Sequence, residues 1–491
     1  MKKQYILPLL GFFFASNAQE IRQEDGLRYG VQNLTGTARF SSMSGAFGAV
    51  GGDLSAINVN PAGSAIFNNN YGSITASNFN NSNKTNYFGT QNKDTYGTLD
   101  LNQIGGVFVF KDNSGNNNWS KIAVGINYEN TNNFDNEIFI SGLNPNHSIS
   151  QYFVDYANFD DGTDFNYYQY EMGYDTYILN VDENDNTQFV SNVPVGGNYR
   201  QKNTISTTGY NGKLTGNFAT SYKDKLYLGI NFNAHFTDYV RTTRLLESNN
   251  NPSNPSSQAS IRNIEFNNQL STYGTGFSLN VGAIYKINDA FRLGAAYESP
   301  TWYRLNDELI QDLYTDNNEN VPAGSENLYY GSPSFIFPTY KLKTPGKITG
   351  SAAYIYKNIG LISLDVAYKD YSQTTFKPKN ESVYQDLNSA NSNLLTNAVE
   401  IRLGGEYKIK QWSLRAGYRF EESPYKVDYA MGDLTGYSGG IGYNFGESKL
   451  DLAYANSHRN YNQYLISSGM NDTARIRNVQ NNVTLTYSIN F

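Results

Sequence analysis

Asn482-Val483-Thr484-Leu485-Thr486-Tyr487-Ser488-Ile489-Asn490-Phe491, the last stretch of the chain, decides the fold class. Apolar Val483, Leu485, Tyr487, Ile489 and Phe491 alternate with polar Asn482, Thr484, Thr486, Ser488 and Asn490. Successive side chains of a strand point to opposite faces, so this run predicts one apolar and one polar face. The same period recurs in Trp412, Leu414, Ala416, Tyr418 and Phe420, and in Leu226, Leu228, Ile230, Phe232, Ala234 and Phe236. Further runs begin near Ile122, Ser278, Phe291, Ile348, Ile362, Ile401, Gly439 and Leu450, with weaker ones at Tyr71 to Phe79, Ile104 to Phe110 and Leu214 to Tyr222. Together they predict roughly 14 strands of about 9 to 14 residues, the length a tilted strand needs to cross and overhang a bilayer.

The connections alternate in length. Short turns are predicted at Lys223 to Lys225, Asn288 to Ala290, Lys357 to Gly360, Lys408 to Gln411 and Gly446 to Ser448. Between them fall long polar segments such as Asn80 to Thr98, Asp135 to Lys202, Thr242 to Asn268, Asn306 to Tyr340, Ser372 to Asn397 and Arg459 to Asn478. Short turns on one side and long loops on the other are the habit of outer-membrane barrels. The aromatic final residue resembles the C-terminal signal read by outer-membrane assembly machinery. The expected fold is therefore all-β, a transmembrane antiparallel β-barrel of about 14 strands, placed in the cell outer membrane.

Composition agrees. A mean hydropathy of -0.55 looks soluble, but a barrel needs apolar residues only at alternate positions of short strands. The 41 Tyr and 28 Phe suit the aromatic girdles of such a wall. Lys2 and Lys3 precede an apolar run from Tyr5 to Phe14 and small residues at Ser16 and Ala18, which reads as a signal peptide over 1–18. The chain carries a formal charge of -7 and no cysteine. Mild acidity argues against a nucleic-acid partner, and the missing thiols exclude disulfides and a cysteine-linked lipid.

Residues 19–70 do not read as strands. Their Gly- and Ala-rich core predicts a periplasmic or lumenal plug, the hatch, before a barrel over 71–491, because a barrel of this strand number is wide enough to need filling.

Gly45 to Phe67, with Gly51-Gly52-Asp53, Ser55-Ala56 and Asn60-Pro61-Ala62, resembles the hatch of the FadL/TodX family of outer-membrane transporters for hydrophobic compounds. The resemblance implies a 14-stranded barrel plugged by its N-terminal segment, with Asn60, Pro61 and Ala62 as the hatch motif. It implies passive uptake of hydrophobic small molecules, long-chain fatty acids or similar, which enter from outside and leave sideways through a kinked strand into the membrane. Gly125 and Asn127 are the candidate breakers of that strand, against the plainer reading of Gly125 as a small lumen residue. The loops look like the Bacteroidetes branch, whose related chains include the secretion component PorV. The alternative reading is thus a structural or protein-secretion-associated barrel with an envelope protein partner. An open aqueous porin is disfavoured by the plug.

Strand parity puts Arg292, Glu298, Asp365, Lys369, Arg402, Glu406, Arg415, Arg419 and Glu421 in the lumen. Arg292, Arg402, Arg415 and Arg419 are the candidate ligand or lumen-lining residues, weighed against bracing ion pairs such as Glu406 with Arg402 or Arg415. His147, His235 and His458 are too few and scattered for a metal site or triad, and no catalytic motif occurs. Asp160, Asp161 and Asp164 lack full calcium-loop spacing. The expectation is a non-enzyme without cofactor or metal, whose partners are a hydrophobic small molecule and outer-membrane lipid and lipopolysaccharide.

Overall fold

The computed structural model describes residues 23–112, 118–159, 163–357 and 359–491. The signal-peptide reading over 1–18 and the carboxylates Asp160 and Asp161 fall outside them.

The wall is built from β1 (Tyr71–Tyr87), β2 (Thr90–Lys111), β3 (Trp119–Asn133), β4 (Asn136–Asn144), β5 (Tyr199–Tyr222), β6 (Leu226–Asn249) and β7 (Asn263–Lys286). It continues through β8 (Phe291–Glu298), β9 (Trp302–Asp316), β10 (Tyr340–Lys343), β11 (Lys347–Tyr356) and β12 (Gly360–Asp370). The last segments are β13 (Asn397–Ile409), β14 (Trp412–Glu421), β15 (Leu434–Asn444), β16 (Ser448–Tyr464) and β17 (Thr473–Asn490). β3 with β4, β8 with β9 and β10 with β11 are interrupted single wall strands, so the barrel is closed, antiparallel and 14-stranded. β17 closes it on β1, from Tyr71 opposite Asn490 to Asn86 opposite Arg475.

Two interruptions have a covalent cause. Pro300 separates β8 from β9 and Pro345 separates β10 from β11, and proline has no N–H to give a ladder. The gaps adjoin and patch each other: Thr301 N–H donates to Thr344 Oγ1 at 3.0 Å, and Thr344 N–H to Thr301 O at 3.0 Å.

Alternation sets the faces. Val483, Leu485, Tyr487 and Ile489 point outward, 40 to 48% exposed, whereas Thr484, Thr486 and Ser488 are buried inside. The inner hydroxyls pair across the closing seam, Thr75 Oγ1 with Thr486 Oγ1 at 2.8 Å and Ser77 Oγ with Thr484 Oγ1 at 2.9 Å. No described helix is long and apolar enough to cross a membrane.

The strands are longer than alternation predicts. Asn80 to Thr98 is not a loop but the top of the β1–β2 hairpin, closed at Phe88 and Gly89, both with positive φ. Thr242 to Asn249, Asn263 to Asn268, Arg459 to Tyr464 and Thr473 to Asn478 are likewise ladder. Outside the bilayer neither face must be apolar, so pairing continues without a period-2 signal.

Above the wall, α4 (Ser150–Asn158) and α5 (Asp164–Asp175) form a cap. Tyr152 and Phe153 pack on Phe266 at ring separations of 5.4 and 5.2 Å. A second tie joins the loops after β6 and β9: Arg262 grips Glu319 at 2.8 and 2.9 Å, and Ser253 Oγ donates to the same carboxylate at 2.6 Å. Hydrogen bonds from Arg262, then from Ser253, hold the Glu319 carboxyl down at about 2, below its usual 4.5. A depressed carboxylate contributes its stabilisation above the unfolded value and loses it as pH falls through the folded one. Proteolysis of the 249–263 connection is therefore expected to accelerate between about pH 4.5 and 2 in the wild type. A pH-independent rate relative to Glu319→Gln refutes the tie.

Candidate functional site

The N-terminal segment lies inside the barrel as α1 (Gln23–Gly30), α2 (Ala38–Ser42), α3 (Ala56–Val59) and a 3-10 turn over Pro61–Ile66. Each piece has a local cause. Thr37 caps α2 by accepting from Phe40 N–H, and Asn60 caps the 3-10 turn by accepting from Ala62 N–H at 3.2 Å, with Pro61 supplying the fixed φ of a first helical residue.

The motif residues meet the wall directly. Asn60 Nδ2 donates to Gly48 O at 2.8 Å within the hatch and to Ala283 O of β7 at 3.0 Å. Asn217 of β5 donates to Pro61 O at 3.0 Å, and Asn231 of β6 to Ile57 O at 2.7 Å. The wall is dented to receive them. Gly229 and Gly282 stand opposite each other in the β6–β7 ladder. A Cβ at Gly229 would lie 2.4 Å from the Pro61 carbonyl carbon, and one at Gly282 would lie 2.1 Å from Asn60 Oδ1. Gly404 and Gly417, opposed in the β13–β14 ladder, leave the same room for Met43, and Gly294 for Gly48.

Charge completes the seat. Arg39 of α2 donates to Glu406 at 2.8 Å, and Arg415 bridges Glu406 at 2.7 Å to Asp451 at 2.6 Å. Arg419 joins Glu400 and Glu421, both at 2.8 Å, and donates to Gln32 O at 3.0 Å. Arg402 pairs with Glu400 at 2.6 Å. Arg292 donates to Val50 O at 3.0 Å and has no carboxylate partner among the described residues. Asp365 accepts from Phe47 and Gly48 N–H, each at 3.0 Å, and Lys369 donates to Gly30 O at 2.6 Å. Within the hatch, Thr37 Oγ1 and Ser55 N–H donate to Asp53 at 2.8 and 2.9 Å. Burial pushes the Asp53 carboxyl up, against the pull of Arg39 and these donors. His235 is a lumenal residue bonded to Ser278 at 2.9 Å, and His147 pairs with Asp472 at 2.8 Å in the loops.

The third wall strand leaves the sheet. β2 pairs with β3 only from Lys111 opposite Lys121 to Gln103 opposite Glu129, and higher on β2 no described residue pairs on that side. After a bulge at Asn130 to Asn132 the chain turns at Phe134 and Asp135 into β4, which follows β5 but sits behind the β1–β2 hairpin. Its free edge is met by side chains instead of backbone: Asn81, Asn83 and Thr85 donate to the carbonyls of Asp135, Glu137 and Phe139 at 3.0, 2.7 and 2.8 Å. Gly209 supports the corner with φ 116, a backbone that side-chain-bearing residues rarely adopt, and donates to Asp135 Oδ1 at 3.1 Å. The break is thus at Asn130 to Asp135, not at Gly125 and Asn127, which stay in regular register with Val107 and Gly105.

The hatch reaches this bend. Asn132 Nδ2 donates to Val31 O at 2.9 Å, and its Oδ1 accepts from Asn33 N–H at 3.0 Å. Tyr29 of α1 packs against Phe134 and Tyr303 at 6.4 and 5.2 Å, and Phe134 packs on Tyr239 at 5.3 Å. Glu129, at the last β2–β3 pair, accepts from Thr35 Oγ1 at 2.8 Å and from Asn58. Beside it, both polar atoms of Asn102 and of Asn127, Gln103 Nε2 and Asn130 Oδ1 are buried without a hydrogen-bond partner among the described residues. Leu99 and Leu101, next to the break on β2, are 77 and 54% exposed.

The family described as outer membrane protein transport protein (OMPP1/FadL/TodX) matches residues 165–490. The chain belongs to this family. It is a transporter family, not an enzyme family, and it places the barrel in the outer membrane. The match begins beyond the hatch, so it is independent of the Gly45 to Phe67 resemblance. Among solved structures, a Pseudomonas aeruginosa FadL homologue is 15% identical, with 94% of this chain and 100% of that chain covered and a TM-score of 0.56. The P. putida toluene transporter TodX is 14% identical, with 94 and 99% covered and a TM-score of 0.53. The CymD monoaromatic hydrocarbon channel is 12% identical, with 94 and 99% covered and a TM-score of 0.50. No curated protein matches the chain in sequence.

The glycine dents, Asn217, Asn231, Asn132 and Phe134 were not singled out from the sequence. Parity alone marks Gly229, Gly282, Gly294, Gly404 and Gly417 as inward, because each lies between outward apolar or aromatic neighbours or beside inward charges, but it does not say that a plug needs the space.

Gly282→Val is expected to dislodge the Asn60 cap at about 1–3 kcal/mol, the usual cost of overpacking. Trypsin cleavage at the half-buried Arg39 should then accelerate, while Gly350→Val, where a side chain meets nothing, leaves it unchanged. Equal cleavage in both variants argues against the dent. Asn132→Ala is expected to remove about 1–2 kcal/mol of local protection, since it breaks two part-buried hydrogen bonds. Faster amide exchange over 31–33 is the readout, and unchanged exchange means the bend does not hold α1.

Proposed function

We propose that this barrel takes up hydrophobic small molecules passively, with lateral release through the break between β2 and the bent third strand. The single observation that carries the reading is the end of the β2–β3 ladder at Gln103 and Glu129, with a plugged lumen below it and the exposed Leu99 and Leu101 beside it. A greasy molecule gains nothing from an aqueous pore, and an exit at membrane level delivers it into hydrocarbon without an energy source. The aromatic cluster of Tyr29, Phe134, Tyr239 and Tyr303 is the apolar capture surface, and α1 must shift for a ligand to replace Tyr29 there. In this reading 19–70 is a movable plug: Arg419 grips it at Gln32 O, Arg415 braces the Glu406 that holds Arg39, Arg402 pairs with Glu400, and Arg292 keeps free donor capacity.

The amides at the break refine the cargo. Asn102 and Gln103 offer donors that no described protein group accepts, and buried donors of this kind favour a ligand with a polar head. An amphiphile such as a fatty acid therefore suits the path better than a plain hydrocarbon. The family match favours transport over a secretion-associated role.

Vesicles bearing the purified protein should take up labelled fatty acids faster than empty vesicles, and faster than they take up monoaromatic hydrocarbons. No acceleration for either class sinks the transport reading. A photoactivatable fatty acid should label the peptide carrying Leu99 and Leu101 above the rest of the wall. Uniform labelling, with uptake intact, sinks the lateral route alone.

A further inference from the structure

The register of the closing seam stacks like charges against one another. Lys84 of β1 stands opposite Lys93 of β2 on one side and opposite Arg477 of β17 on the other, and Asn86 stands opposite Arg475. All four cations are exposed on the outward parity that lower down carries Ile74, Val483 and Leu485. With His458 they line a cleft of about 580 Å³. Like charges directly opposed across a ladder weaken it. Elsewhere on the outer rim Arg244 is neutralised by Glu265 at 2.7 Å and Arg262 by Glu319. Among the described residues none of the four seam cations has an ion-pair or side-chain hydrogen-bond partner. On a chain whose net charge is -7 this is a concentrated exception.

Height identifies what faces it. Arg477 precedes Phe491 by 14 positions. At about 3.4 Å per residue and a tilt of about 40°, it stands about 35 Å above the periplasmic end, some 10 Å beyond an apolar band about 25 Å tall. That is the headgroup level of the outer leaflet. The device recurs across the barrel: Arg304 stands opposite Lys341, and Lys341 opposite Lys377, again exposed and just above the outward Trp302.

We infer that the Lys84, Lys93, Arg475 and Arg477 cleft binds the phosphate-bearing headgroup of an outer-leaflet glycolipid. Two anionic phosphates relieve the repulsion that the protein leaves uncompensated, and the acyl chains reach down past Ser82 and Asn481 to the exposed apolar Leu99, Leu101, Val483 and Leu485. The lipid thereby clamps the seam where the last strand closes on the first, beside the β2 edge that the bent strand leaves unpaired.

The test uses the full-length barrel in detergent with three probes: diphosphoryl lipid A, the same lipid enzymatically dephosphorylated, and inorganic pyrophosphate. Native mass spectrometry should show retention of diphosphoryl lipid A and not of the dephosphorylated lipid. Retention in Lys84→Gln and Arg477→Gln should fall by about fivefold per charge removed, from the worth of one cation near an anionic surface. Lys84→Glu gives a second, opposite readout. It pairs with Lys93 and Arg477, so it should raise the unfolding temperature of the lipid-free barrel while lipid retention drops. Equal retention of the two lipids by the wild type overturns the inference, as does unchanged retention in all three variants. Pyrophosphate binding as tight as the lipid overturns the glycolipid assignment in favour of a soluble anion. Because none of these readouts involves uptake, their failure is distinguishable from a failure of the transport reading.

Discussion

The hatch and the inner face of the wall are one packing unit, and the rest of the structure depends on that constraint. Opposed glycines, Gly229 with Gly282 and Gly404 with Gly417, remove wall side chains where the hatch backbone presses closest. Around those dents, Glu406, Asp365, Arg419 and Lys369 aim ionic and hydrogen-bonding groups at hatch atoms, and Arg415 braces Glu406 from the wall. Breaking a buried charge pair leaves an uncompensated ion, a cost of several kcal/mol. The hatch is therefore held by steric fit and by the polar groups it satisfies, while the wall charges also brace one another, as Arg415 does with Glu406 and Asp451.

That arrangement ties the plug to the place where the third wall strand leaves the β2 ladder. The third strand bends inward at Phe134 because Asp135 and Gly209 form a corner and because Asn81, Asn83 and Thr85 take over the hydrogen bonds that β2 would have given. Asn132, at the bulge, is also the residue that grips the chain after α1. The bend and the chain after α1 are thus tied through one side chain. The outer rim adds a second constraint, since the seam beside the unpaired β2 edge carries its like charges in direct opposition.

How much of this was legible follows from what kind of force writes a pattern. Lipid demands an apolar residue at every other position, so Val483 to Phe491 and Trp412 to Phe420 announce strands and their facing. Above the bilayer that demand lapses, and Asn80 to Thr98 or Thr473 to Asn478 pair as strands while reading as polar loops. Parity placed Arg292, Arg402, Arg415 and Arg419 on the inner face but could not choose their partners. Glu406 lies nine positions from Arg415 in sequence and directly opposite it in the ladder, whereas Arg39 reaches the same carboxylate from the far end of the chain. Glycine weakens a strand locally and so points to Gly125, yet the kink lies at Asn130 to Asp135, held by side chains of β1 and the backbone of Gly209.

Sequence alone determined the barrel, its strand number of about 14 and its membrane-facing surface, because lipid contact acts on neighbours in the chain. Only tertiary structure decided where the β2–β3 ladder ends, which glycines are dents, which charges are neutralised and which like charges are stacked. Those are set by register between distant strands, and register is a property of the closed barrel.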